Sequence, residues 1–146
     1  IARIVDIYRA RWTIEEYFKA LKTGCDFESK QLESMTTLVN ALAIYIPIAV
    51  DLLRLRNIAR DEPTRPARDV VPAIVLRVLQ QHALTKLSDD ATCAQAMLAV
   101  ARFGGHIVNN GPPGWQVLGR GYETVRLIAD GFALAAGNRG GDPINP

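Results

Sequence analysis

Ile7, Ile14, Phe18 and Leu21 recur at the spacing of a single apolar helix face. They predict a core-facing helix from about Ala2 to Lys22, with Gly24 as its stop. Residues 26–31 are polar and read as a connection. A second helical stretch, Leu32 to Arg60, is far more apolar and carries no charge between Ser34 and Val50. A membrane span needs about 20 apolar residues. Ser34, Thr36, Thr37, Asn40 and Pro47 interrupt this stretch, so it reads as a buried core helix kinked near Pro47.

Asp61 to Asp69, DEPTRPARD, has the composition of a linker. A third helix is expected from Pro72 to about Ala83, since proline suits a first helical turn. Ser88 then reads as the N-cap of a helix through Phe103, closed by Gly104 and Gly105. NNGPPG, residues 109–114, is a loop by composition. The last helix spans about Trp115 to Ala136, with Trp115, Leu118, Tyr122, Val125 and Phe132 at helical spacing. The tail after Gly137 is expected to be disordered. Sustained strand alternation is absent from the sequence, and the predicted fold class is all-α.

With 146 residues the chain suits one domain or a piece of a larger one, and it opens on Ile1 directly in helical periodicity. We therefore expect a fragment of a longer polypeptide or a truncated reading frame. A net charge of +2 gives no global footprint for nucleic acid, so any such contact must be local. Cys25 and Cys93 have no CxxC partner and no histidine nearby, which fits a reducing compartment and argues against a zinc site. His82 and His106 stand apart and read as structural or surface residues.

The sharpest chemical pattern is Tyr8, Arg11, Glu15 and Lys22, spaced Y-x2-R-x3-E-x6-K. On a regular α-helix these four fall within a sector of roughly 60°. Such a face offers a carboxylate for a divalent metal, with two cations and a phenol for phosphate. An exposed glutamate paired with Arg11 or Lys19 is the plainer reading of the same residue. Glu16 points about 100° away from Glu15 and is no second ligand on that face. Arg54, Arg56, Arg60, Arg65 and Arg68 read equally well as phosphate contacts or as a solvated helix end and linker. The aromatic set Trp115, Tyr122 and Phe132 allows the last helix to fill its own core or to anchor an interface.

The four-residue spacing resembles the signature of bacterial DDE transposases of insertion-sequence family four, the Tn-five transposase type. RWTIEEYFKALKTGC resembles that family's catalytic-glutamate helix. MLAVARFGGHI and GPPGWQVLGRGYETVRLIADGFALA resemble its C-terminal dimerisation segment. The resemblance implies that Glu15 is catalytic, the third acidic metal ligand of a ribonuclease-H-like core using Mg²⁺ or Mn²⁺. It implies that Tyr8, Arg11 and Lys22 contact phosphates of transposon-end DNA.

By the same resemblance, residues 1–30 end a catalytic core, 31–60 form a long apolar helix and 61–72 a linker. Residues 73–136 form a helical dimerisation domain, and 137–146 the tail. The expected partners are transposon-end DNA, and a second copy or a full-length transposase, without a membrane, in a bacterial cytoplasm near the nucleoid. The family's two catalytic aspartates precede this signature. The chain alone is therefore expected neither to cleave DNA nor to bind the metal strongly. The alternative is a non-catalytic helical dimerisation module that inhibits a full-length transposase.

Overall fold

The computed structural model describes residues 2–107, 109 and 111–137, and among these five α-helices form and no strand. The expected disordered tail, 138–146, lies outside the described residues. The helices are α1 (Ala2–Lys19), α2 (Met35–Asp61), α3 (Ala73–Gln81), α4 (Cys93–Phe103) and α5 (Trp115–Gly137). The all-α prediction holds.

Helix α1 stops short of the predicted end. From Ala20 to Gly24 the backbone widens into a π-turn, closed by the Cys25 N–H donating to the Ala20 carbonyl at 2.9 Å. Gly24 does not supply the left-handed residue expected of a helix stop. Asp26 does, at φ 49°, a conformation that asparagine and aspartate tolerate better than most residues. Gly24 has a different use. A Cβ built on Gly119 of α5 would lie 1.7 Å from the Gly24 carbonyl oxygen, so the π-turn and α5 touch backbone to backbone.

Helix α2 starts at Ser34, whose side chain accepts from the Thr37 N–H at 3.1 Å and satisfies one free donor of the first turn. It runs through Pro47 without interruption. The expectation of a buried core helix holds for its second half only. Ile48, Ala49, Leu52, Leu55 and Ala59 are buried, whereas Met35, Val39, Ile44 and Ile46 are exposed. By length and composition alone, α2 is the one helix among the described residues able to cross a membrane.

The linker-like segment is ordered by backbone pairing. Ala67 donates to the Ala91 carbonyl and Cys93 to the Arg65 carbonyl, each at 2.8 Å, and Ala67 is buried. Helix α4 begins at Thr92 rather than near Ser88. Thr92 accepts from the Gln95 N–H while the Gln95 side chain accepts from the Thr92 N–H, a reciprocal capping box. Ser88 instead hydrogen-bonds the Asp90 carboxylate.

One apolar cluster joins these pieces. Ala20 and Leu21 of the π-turn, Leu52 of α2, Val75 and Leu79 of α3, Val100 of α4, and Leu118 and Val125 of α5 all belong to it. Helices α4 and α5 cross at glycines: a Cβ at Gly104 would meet the Val117 carbonyl at 1.9 Å, and one at Gly121 the Val100 carbonyl at 2.0 Å. The C-terminal end of α1 is thereby carried on α2 and α5.

Candidate functional site

The rest of α1 stands clear of the core. Ile7, Ile14 and Phe18, expected to face it, are all exposed, and of that stripe Leu21 alone is buried. The correction has a simple cause: no element among the described residues packs over Ile7 and Ile14, so periodicity identified an apolar face but not its partner. Tyr8, Arg11 and Glu15 are exposed on the same helix.

The Arg11 guanidinium lies 4.0 Å from the Glu15 carboxylate, one turn apart, with Glu15 about half exposed. The plainer reading of Glu15 as the partner of an adjacent arginine therefore describes the free chain, and the carboxylate remains open to solvent. Lys22 behaves differently. It sits in the π-turn, where the regular helical step no longer applies, and its ammonium lies 2.7 Å from Glu28. The structure thus groups Tyr8, Arg11 and Glu15 on α1 and binds Lys22 to the turn that follows.

Among the described residues no three His, Cys, Asp or Glu side chains form a group able to hold a metal ion. One half-exposed carboxylate beside an arginine does not fit Mg²⁺ or Mn²⁺, which require several oxygen ligands.

The five-arginine set divides. Arg56 and Arg60 face Glu16 at 3.9 and 3.6 Å, Arg60 also bonds Asp61 at 2.9 Å, and Arg65 pairs with Glu62 at 3.4 Å. Arg54 and Arg68 are exposed. The aromatic set divides too. Tyr122 is buried and donates its hydroxyl to Asp51 at 2.8 Å, Trp115 lies half-buried under the Arg56 guanidinium at 4.3 Å, and Phe132 is exposed. Tyr122 therefore serves the chain's own core.

Residues 2–48 match the family model of the transposase DDE domain. The match supports a DDE transposase. It spans α1, the π-turn and the first half of α2, and it contains all four residues of the Y-x2-R-x3-E-x6-K pattern. The matched segment thus holds most of the large apolar side chains exposed among the described residues. Helices α3, α4 and α5 lie beyond the matched residues.

Two features had no signature in the sequence. Glu123 of α5 has a carboxylate oxygen buried without a hydrogen-bond partner, and burial pushes its carboxyl above the ordinary glutamate range, with Lys30 lowering it and Asp26 raising it. It lines a cavity of about 430 Å³ between α2 and α5, together with Tyr45, Pro47, Arg126 and Leu127. Cys25 is buried, and desolvation pushes its thiol up to about 12, so it is no nucleophile at neutral pH. The second unforeseen feature is the link Glu16–Arg56–Trp115, whose members are too far apart in sequence for any spacing rule to connect them.

Proposed function

We propose that this chain is the C-terminal part of a cut-and-paste DNA transposase of insertion-sequence family four, supplying the glutamate of its active site. The observation that carries this reading is an open Glu15 carboxylate beside Arg11, on the helix that also exposes Tyr8, within the segment that matches the transposase DDE domain. In this role Glu15 is the third acidic ligand of a metal centre, and its other carboxylates come from outside the described residues. The metal, Mg²⁺ or Mn²⁺, would supply Lewis-acid stabilisation of the phosphodiester.

What these side chains bring is charge placed for a phosphate backbone. Arg11 offers a planar fork of donors that matches phosphate oxygens, and Tyr8 a hydroxyl on the same helix. Lys22 adds a cation once DNA competes with Glu28 for it. The exposed Ile7, Ile14 and Phe18 give α1 an apolar face with which to join the remainder of a catalytic core. The test is excision of a transposon-flanked reporter by the full reading frame that contains these residues. Metal-dependent excision is expected, and a full frame that never excises or nicks its own flanking ends contradicts the proposal.

A second reading has its own support. Leu127, Phe132 and Leu134 are exposed on the C-terminal half of α5, as suits a dimerisation module that inhibits a full-length transposase by mixed assembly. Co-purification of the 146-residue chain with a full-length relative, and reduced excision on co-expression, are its expected results. Failure to associate at micromolar concentration counts against it.

A further inference from the structure

Glu16 follows the candidate catalytic residue directly, yet it faces the body of the fold. Its carboxylate is one-quarter exposed and lies 3.9 Å from the Arg56 guanidinium and 3.6 Å from that of Arg60. Arg56 in turn covers the Trp115 ring at 4.3 Å, at the first residue of α5. Trp115 also stands over the end of the π-turn, because a Cβ on Gly24 would meet its carbonyl oxygen at 3.5 Å. The chain Glu16–Arg56–Trp115 therefore spans three helices. Its first member is carried on the same turn of α1 as Glu15.

We propose that Glu16 is a positioning residue: acting through Arg56 and Trp115, it fixes the direction in which the Glu15 face of α1 projects from the fold. Most of α1 lacks apolar cover, so its orientation depends on the few contacts at its C-terminal end. The Gly24–Gly119 contact fixes where that end sits. Ala20 and Leu21, buried in the core, and Tyr17, packed against it, hold the same end, and the Glu16 carboxylate adds a charged contact to α2 beside them. Arg56 suits the task because its flat guanidinium can stack on an indole while its edge faces a carboxylate, a geometry lysine lacks. Asp61 holds Arg60 at 2.9 Å and leaves Arg56 as the member that reaches α5.

The importance of this orientation for catalysis rests on the transposase reading above, whereas the mechanical link does not. The 146-residue chain contains two tryptophans, so Trp12→Phe leaves Trp115 as the sole indole reporter. In that background Glu16→Gln is expected to move Trp115 emission to longer wavelength, as Arg56 leaves the ring. Hydrogen exchange at the Thr13–Tyr17 amides should quicken about two- to fivefold, the equivalent of a partly shielded ion pair. Arg56→Gln should reproduce the emission shift and part of the exchange effect, since Arg60 still faces Glu16, and the double variant should add nothing to Glu16→Gln.

Arg56→Lys should shift the emission while leaving exchange near the parent value, which separates stacking from charge and serves if Glu16→Gln fails to fold. Unmoved emission in a Glu16→Gln chain of unchanged circular dichroism overturns the link, and so does a double variant whose effects multiply. Excision that is lost in Glu15→Gln while the coupling fails sinks this inference alone. Intact coupling with no excision by the full reading frame sinks the transposase reading alone.

Discussion

Gly119 and Gly24 meet with no room for a side chain: a Cβ on Gly119 would fall 1.7 Å from the Gly24 carbonyl oxygen and 2.7 Å from its Cα. This contact joins the end of α1 to α5 across most of the sequence. The obstructing atoms belong to the backbone, so relief requires a helix to move rather than a rotamer to change.

Gly119→Ala is accordingly expected to destabilise the chain by about 1–3 kcal/mol, the usual cost of overpacking, despite alanine's better helix propensity. Gly131, also inside α5, has nothing within 4 Å of its would-be Cβ. Gly131→Ala should gain about 0.5–1 kcal/mol. Urea denaturation of both variants checks the pair. Equal effects of one sign would refute the close crossing.

Glu123 supplies a pH dependence. Burial raises its carboxyl above the ordinary value of 4.5, so the folded chain holds this proton more tightly than the unfolded one. Its contribution to stability is fully present below that ordinary value and is lost as pH rises through the raised one. Asp61 and Asp90 slope the other way at lower pH, because their hydrogen bonds to Arg60 and Ser88 depress them. The readout is therefore a difference. From about pH 4 upward, wild type should lose stability relative to Glu123→Gln, and parallel denaturation profiles would exclude the raised carboxyl.

The helices were legible in the sequence wherever local chemistry decided them. Pro72 before α3, Trp115 opening α5, and Gly104–Gly105 after α4 stand where residue preference puts them. The start of α4 was also written there, as Thr92-x-x-Gln95, but Ser88 is an equally good cap by type and only the Pro66–Thr92 pairing decides between them. The Tyr8–Lys22 face was legible only as far as Glu15, because a constant helical step cannot foresee a π-turn at Ala20. Long-range relations such as Glu16 to Arg56, or Gly24 to Gly119, leave no periodic trace at all.

The chain on its own should show neither nicking of a cognate transposon end nor tight binding of Mg²⁺. Glu15 is a lone carboxylate beside Arg11, and divalent sites need more oxygen ligands than that. Isothermal titration with Mg²⁺ and a supercoiled-plasmid nicking assay check the two halves. Detectable nicking by the purified chain would mean that the 146 residues hold a complete site after all.

We propose that Glu15 carries the chemistry of α1, and the most direct measurement of that role is excision by the full reading frame bearing Glu15→Gln. The substitution preserves shape and removes the charge. Excision is predicted to fall by at least about 100-fold, while Glu33→Gln, an exposed carboxylate outside this face, leaves it unchanged. Excision by Glu15→Gln equal to that of the parent would contradict that role.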